Sequence, residues 1–101
     1  MGGGQGAPPW VSYALGFAQV GLKRPAEALA AWERVREAVP EFEPVYLDLA
    51  DVYLQLDDGD RAVATLRAAE KRWPGDADVL NALGTIQVRR NALGEAVETF
   101  E

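Results

Sequence analysis

Residues 43–76 read EPVYLDLADVYLQLDDGDRAVATLRAAEKRWPGD. Shifted by 34 positions in either direction, this stretch aligns with the rest of the chain without an insertion or a deletion. Leu49, for example, falls on Leu15 and on Leu83. A fixed period of this length is the signature of a repeat protein, in which each repeat is one supersecondary unit that buries its apolar face against its neighbours.

The sizes of the side chains repeat together with their polarity. We call the three residues at one repeat position a column. Columns of small residues would let the two helices of one unit approach closely, and a column of large residues would fill the gap toward the following unit. We also expect the leucine column to form a spine between the units. The small columns are Gly16, Ala50, Gly84 and Ala28, Ala62, Ala96; the large column is Trp32, Leu66, Phe100; further apolar columns are Val20, Leu54, Val88 and Ala18, Val52, Ile86.

Each repeat predicts two helices. Pro25 suits the first turn of a helix, and Asp58 and Asn91 can each provide an N-cap. Pro40 and Pro74 disfavour helical geometry in the residues before them, which ends two of the helices. The predicted first helices span 9–21, 43–56 and 77–90, and the predicted second helices span 25–38, 59–72 and 92–101.

This pattern resembles the tetratricopeptide repeat, the helix–turn–helix unit of many scaffold proteins. The resemblance covers residues 9–101 and implies an all-α fold, an α-solenoid of antiparallel helix pairs with about six helices in a superhelix. The residues that match the family pattern are the pairs Leu15-Gly16, Leu49-Ala50 and Leu83-Gly84, Tyr53 and Ala69, the Ala28 and Trp32 columns, and Pro40 and Pro74.

The same pattern predicts how the chain is organised. We expect repeats at 9–42, 43–76 and 77–101, the last one incomplete, and a flexible leader at 1–8, because consecutive glycines are costly to order. The chain stops inside a helical pattern, which predicts a fragment of a longer array. Three positions depart from the family pattern and indicate natural drift rather than an idealised design: Gln19, Gln87 and Val35.

Composition excludes several classes of function. The chain has 101 residues, enough for one small domain, and a net charge of −6, which is the wrong sign for binding nucleic acid or anionic lipid. It contains no cysteine and no histidine, so the commonest nucleophiles, bases and metal ligands are missing. We therefore expect no catalytic site, no cofactor, no metal and no enzyme activity.

One short motif allows a second interpretation. Residues 57–60 read Asp-Asp-Gly-Asp and faintly resemble a calcium loop. Aligning Gly59 with the loop glycine puts Leu54 and Leu56 at ligand positions and Thr65 in place of the closing glutamate. A solvated turn is the better interpretation.

In the family that this chain resembles, the first helices line a concave groove that holds partners. Tyr13 and Phe17 lie one helical turn apart and share a face. A mostly apolar groove with a polar rim suits an amphipathic helix or an apolar extended peptide. The alternative is that these side chains are covered by a neighbouring unit or by the leader. The predicted groove residues are Trp10, Tyr13, Phe17, Val20, Leu47, Asp51, Leu54, Gln55, Asn81, Thr85, Val88 and Arg89, with Asp78 beside them.

Some family members grip the C-terminal carboxylates of chaperones with lysine, asparagine and arginine side chains. The matching positions of this chain hold Tyr13 and Phe17, then Asp48, then Asp78 and Ala82. None of these can replace the cations, and Asp78 would repel a carboxylate. A chaperone C-terminal tail is therefore not the expected partner.

The sequence favours a protein–protein interaction module that acts as a scaffold or assembly adaptor. The alternatives are a structural module that self-associates, for example as a homodimer through open repeat ends near Val97 and Phe100, or a fragment of a larger protein of this family. No signal peptide or apolar span is apparent in the sequence, which favours the cytoplasm. Frequent alanine and arginine with little lysine point to a bacterial source.

Overall fold

The computed structural model describes the backbone of residues 8–100 and the side chains of residues 8–91. Within that range the chain forms five α-helices and no strand, and each helix packs on the next along the chain. The result is an elongated all-α solenoid. Its helices are α1 (Pro9–Gly21), α2 (Pro25–Ala38), α3 (Glu43–Gln55), α4 (Gly59–Arg72) and α5 (Ala77–Phe100). Most of the expected leader, residues 1–7, lies outside the described residues.

Several helices begin at the residues that the sequence predicts. Pro9 and Pro25 stand at the first position of their helices, where the missing N–H costs no hydrogen bond. Asp58 caps α4, since its Oδ1 accepts from the amide of Arg61 at 3.1 Å. Asp76 Oδ1 accepts from the amide of Val79 at 3.2 Å, after Gly75 has turned the chain at φ 86°.

The turns inside the first two helix pairs use one conformation. Lys23 and Asp57 lie 34 residues apart, and their φ angles of 60° and 61° are both left-handed. A left-handed residue after a helix lets the next amides bond back to the last carbonyls. At each turn the amide of the residue after the left-handed one does so: Arg24 N donates to Gln19 O, and Asp58 N donates to Tyr53 O.

The predicted break in the third repeat is wrong. The sequence predicts separate helices at 77–90 and 92–101 with Asn91 as N-cap, whereas α5 runs without interruption from Ala77 to Phe100. Asn91 occupies the repeat position of Lys23 and Asp57. The next two residues differ from the earlier turns, however: Ala92 stands at the repeat position of the N-cap Asp58 and cannot cap a helix, and Leu93 stands at the position of Pro25 and does not fix a helix start. The helix therefore continues, and the described range has five helices instead of six.

Gly16, from a column of small residues, and Trp32, from the column of large residues, contact each other between α1 and α2. A Cβ atom built on Gly16 would collide with the indole of Trp32, so only glycine lets α1 and α2 approach this closely. Trp32 Nε1 donates to the carbonyl oxygen of Tyr13 at 2.9 Å and holds the indole there. The sequence predicts that Trp32 fills the gap toward the following unit; the indole is anchored in its own unit, and Trp32 also belongs to the core cluster that contains Leu49 of α3. Ala28 and Ala62 are fully buried, as small residues at close contacts should be.

The leucine spine is only partly formed. Leu49 and Leu83 are buried in the core, but Leu15 is exposed on the outer side of α1. Leu49 and Leu83 follow a helix pair that packs against them, whereas no helix among the described residues precedes α1. The expectation that all three leucines form a spine is wrong for Leu15.

Polar contacts also join successive units. Tyr53 Oη donates to Glu33 Oε2 at 2.6 Å, and burial together with this carboxylate raises the pKa of Tyr53 to about 12. Arg90 Nη2 lies 2.7 Å from Asp60 Oδ1 and joins α5 to the beginning of α4. Because the Arg90–Asp60 pair is exposed, its contribution to stability is small, about 1 kcal/mol or less.

We expect Gly16→Ala to lower the free energy of unfolding by about 1–3 kcal/mol, because the new methyl group must displace the Trp32 indole. Gly84→Ala is the matched control at the same repeat position, where a Cβ would meet no atom within 4 Å. It should be neutral or should stabilise the protein by up to about 1 kcal/mol through helix propensity. Urea denaturation measures both. Equal losses in the two variants would contradict the close contact.

Candidate partner-binding groove

A cavity of about 430 Å³ opens between α3 and α5. Its floor is apolar and includes Leu47, Leu54 and Ile86. Polar side chains stand at its rim, with Asp51 on α3 and Arg89 on α5. The full lining is Leu47, Ala50, Asp51, Leu54, Leu66, Asn81, Ala82, Thr85, Ile86 and Arg89.

A second cavity of about 330 Å³ lies at the beginning of α1 and is almost wholly apolar. It shares no lining residue with the α3–α5 cavity. Its walls come from three parts of the chain: the first turns of α1, the end of α2 and the loop before α3. The lining residues are Pro9, Trp10, Tyr13, Val35, Val39 and Phe42.

Tyr13 connects α1 to α3 at the edge of this second cavity. Its Oη donates to Asp48 Oδ2 at 2.5 Å, and its ring stands edge-on to Phe42 with 5.0 Å between the ring centroids. Partial burial, with the Asp48 carboxylate beside it, raises the pKa of Tyr13 well above its ordinary value. Burial also raises the pKa of Asp48, and the hydrogen bond from Tyr13 offsets this only in part. Tyr13 therefore stays a hydrogen-bond donor at any physiological pH.

Phe17 is 49% exposed and yet belongs to an aromatic cluster. Its ring lies 5.0 Å from the Tyr13 ring and 5.0 Å from the Trp32 ring, both in edge-on geometry. Pairs of this kind contribute about 0.5–1.5 kcal/mol beyond the area they bury. One side of Phe17 is held by its neighbours, and the other side is open to solvent.

A third, more polar cavity of about 470 Å³ lies beside the turn between α3 and α4. It shares Leu54, Ile86 and Arg89 with the α3–α5 cavity and continues it. Asp57 and Asp58 line it, but Asp58 is already engaged as the cap of α4. The turn thus extends the groove with a mixed acidic and basic rim.

The structure brings together half of the predicted groove residues. Trp10 and Tyr13 line the cavity at α1, and Val88 lies on an exposed face of α5 beside Leu80. Val20 packs against the core, and Gln55 Nε2 donates to Asp51 Oδ2 at 3.2 Å. The six that line the α3–α5 cavity are Leu47, Asp51, Leu54, Asn81, Thr85 and Arg89.

Sequence reasoning missed the residues that come from outside the first helices. Val39 and Phe42 lie at the end of α2 and in the loop after it, and they complete the cavity at α1. Asp48 was considered only as a clamp position, whereas it accepts the hydrogen bond of Tyr13. The period places residues on helix faces, but it does not say which loop residues reach those faces.

The comparison with known families agrees with this architecture. The family model described as tetratricopeptide repeat matches residues 19–86, which is more than half of the chain. The chain belongs to the tetratricopeptide repeat family, and the resemblance inferred from the 34-residue period is confirmed.

Solved structures of the same kind are similar to this chain. The crystal structure of a tetratricopeptide repeat domain protein from Salinibacter ruber is 26% identical, covers 86% of this chain and 99% of that one, and has a TM-score of 0.67. The solution structure of a tetratricopeptide repeat domain protein from Salinibacter ruber is also 26% identical, covers 87% of this chain and 91% of that one, and has a TM-score of 0.68. No curated protein matches the sequence.

Among the residues that the structure describes, no helix combines the length and the apolar character needed to cross a membrane.

Asp48→Asn should raise the melting temperature at pH 7. Because burial raises the pKa of Asp48, the folded state loses stability, relative to the unfolded state, as the pH rises through that pKa. An asparagine stays neutral and can still accept from Tyr13 Oη. At pH 3, below the ordinary aspartate pKa of about 3.9, wild type and variant should unfold alike.

Thermal unfolding at the two pH values measures this effect. Asp51→Asn removes the same charge from an exposed position of α3 and serves as the control. It should reproduce only a small part of the gain, since Asp51 is a minor cause of the Asp48 shift. A variant Asp48→Asn that is less stable than wild type at pH 7 would show that the hydrogen bond from Tyr13 outweighs the burial of the charge.

Proposed function

We propose that this domain is a protein–protein interaction module that binds a peptide or an amphipathic helix in the groove between α3 and α5. Such a module acts as a scaffold or assembly adaptor for its partner. The observation that carries the proposal is the α3–α5 cavity, in which an apolar floor is open to solvent and surrounded by polar side chains. The tetratricopeptide repeat is a non-enzymatic repeat fold, and its domains generally mediate protein–protein interactions.

The lining of the groove defines the chemistry of the partner. Leu47, Leu54 and Ile86 offer an apolar floor, which favours one apolar face of a helix or alternate apolar side chains of an extended segment. Asp51 on one side can receive a basic side chain, and Arg89 on the other can receive an acidic one. An amphipathic helix with opposite charges along its two edges would satisfy both rims.

The cavity at α1 supports a second point of contact. Trp10 is largely exposed beside it, and its lining is too apolar to prefer a charged group. One large apolar side chain of the partner would fill it. The chaperone C-terminal tail remains disfavoured, because Asp48 offers a carboxylate where the clamp of such members needs an amide.

Self-association is a second candidate function. Leu80 and Val88 are exposed on one face of α5, and a Cβ built on Gly84 between them would meet no atom within 4 Å. An exposed apolar face of this kind at the end of a repeat array suits a homodimer through open repeat ends. The exposed face of α5 shares Asn81, Thr85 and Arg89 with the α3–α5 groove, so self-association through that face would compete with peptide binding.

Thr85→Arg should weaken peptide binding at least tenfold, because the long side chain would occupy the α3–α5 cavity from its exposed position on α5. Ala64→Arg adds the same charge to an exposed position of α4 outside that cavity and should leave binding unchanged. The probe is the tightest binder selected on the wild type from a displayed library of helical peptides. Fluorescence anisotropy measures its affinity for each variant. Equal affinities would place the binding site outside the groove.

Phe17→Glu separates a binding role of Phe17 from a structural one. Since half of the ring is exposed, we expect the helical circular dichroism signal to persist and the free energy of unfolding to fall by about 1–3 kcal/mol through loss of the two aromatic contacts. Phe17 packs edge-on against Tyr13, which lines the α1 cavity, so a peptide that uses that cavity should then bind more weakly. Loss of the cooperative thermal transition would show that Phe17 belongs to the core.

A further inference from the structure

One face of α5 is open to solvent and carries no charge. Leu80 on this face is 43% exposed and Val88 is 67% exposed. A Cβ built on Gly84, which lies between them, would meet no atom within 4 Å. The helical period places seven uncharged residues on the face, and we call them the α5 seam: Ala77, Leu80, Asn81, Gly84, Gln87, Val88 and Asn91.

The first repeat shows what covers this face where it is buried. Gly16 has the repeat position of Gly84, and it lies against the Trp32 indole of α2. The cover on α1 is therefore a helix that runs antiparallel to it after a short turn. α5 instead continues to Phe100, so among the described residues the backbone does not turn back to supply such a helix. The seam thus has the shape that accepts an antiparallel helix and lacks that helix.

The seam is symmetric about Gly84. Leu80 lies four residues before this glycine and Val88 lies four residues after it. A two-fold axis between two copies of Gly84 would therefore set Leu80 of each copy beside Val88 of the other. Asn81 and Gln87, three residues on either side, would face each other in the same way, and two amides can each donate and accept. Since Gly84 has no side chain, two α5 helices can cross closely there.

The charges around the seam also suit a second copy. The chain has a net charge of −6, but the seam is uncharged, so two copies can join there without setting like charges opposite each other. Asp78 and Arg89 are both exposed on one side of α5, six residues before Gly84 and five residues after it. The two-fold axis brings Asp78 of one copy to the level of Arg89 of the other. Opposite charges in this arrangement orient the two copies.

We propose that two copies of this chain pair through the α5 seam, antiparallel and about a two-fold axis at Gly84, and that this pairing competes with the peptide for the groove. Both copies use the same surface, so the assembly stops at two. The surface cavity along the seam and the α3–α5 cavity share three residues, so a second α5 occupies part of the peptide's site: Asn81, Thr85 and Arg89. This inference rests on the two functions proposed above and adds that one regulates the other.

Light scattering at physiological salt, over a wide range of concentration, tests the pairing. The wild type should rise from the mass of one copy, 11.0 kDa, to the mass of two copies and stop there. Val88→Glu should keep the mass of one copy, because it places a charge beside Leu80 of the other copy. Leu22→Glu is the control, since Leu22 is 61% exposed on α1, and it should pair like the wild type. Circular dichroism confirms that each variant is folded. A wild type that stays at one copy, or a Val88→Glu variant that pairs, would overturn the inference.

Disulfide cross-linking tests the antiparallel geometry, because the chain contains no cysteine of its own. Leu80→Cys mixed with Val88→Cys should give an oxidised pair that contains one copy of each, which mass spectrometry identifies. Each variant alone should cross-link little, since its two cysteines would lie about 12 Å apart along the helix axis, beyond the reach of a disulfide. Cross-linking of each variant alone, without a mixed pair, would overturn the two-fold axis at Gly84.

Peptide binding tests the competition, with the helical peptide selected on the wild type as the probe. At a protein concentration where about nine tenths of the copies are paired, the wild type should bind it about tenfold more weakly than Val88→Glu does. At low concentration the two affinities should be equal, because Val88 does not line the α3–α5 cavity. Equal affinities at high concentration would overturn the competition and leave the groove as the peptide site. A library that yields no binder would overturn the proposed peptide binding and the competition together, while the masses still decide the pairing.

Discussion

The structure depends on one constraint: a pair of helices cannot bury its own apolar surface. The first helices α3 and α5 each carry an apolar stripe, with Leu49 and Leu83 in it, that packs against the second helix of the preceding unit. Leu49 and Leu83 are buried because α2 and α4 cover them. Burial of a leucine side chain contributes about 1.5–3 kcal/mol, so a few such positions decide whether the array is stable. The close contact of Gly16 with Trp32 is the local condition that lets the helices of one pair approach closely enough.

The same constraint produces the functional surfaces. Because the core fixes one side of each first helix, exposed positions beside that side, such as Asp51 on α3 and Thr85 on α5, face solvent together, and the groove forms between them. Asp51 and Arg89 can then be polar at no cost to the core. Tyr13 and Asp48 join α1 to α3 at the edge of the separate cavity at α1 through a hydrogen bond. Binding surfaces and core are therefore two consequences of one periodic pattern.

The period predicted most of the fold, because it reports which residues must be buried. The cap at Asp58 and the proline start of α2 were also predictable, since each depends on one residue and its nearest neighbours along the chain. The continuation of α5 past Arg90 was not predictable from the period, because the period matches positions and does not weigh the helix propensity of the residue that replaces a cap. Leu15 and Leu49 are the same residue type at the same repeat position, but Leu15 is exposed and Leu49 is buried. The repeat alignment does not report whether a helix covers a position.

The groove was predicted only in part for a related reason. Helix periodicity places Leu47 and Thr85 on the solvent side of their helices, and both line the α3–α5 cavity. It carries no information on residues that reach a cavity from a loop or from a helix end, and Phe42 was missed for that reason. Asp48 acquired its role only when folding brought α1 beside it.

Native-state hydrogen exchange, followed residue by residue at a concentration where the protein is monomeric, tests the central claim most directly. If stability comes from first helices that are covered by neighbouring units, amides of α3 and α4 should exchange most slowly. Amides of α1 should exchange faster, because Leu15, at the repeat position of Leu49, is exposed. Protection that is equal along α1, α3 and α4 would contradict the account. It would mean that each helix pair is stable without its neighbours.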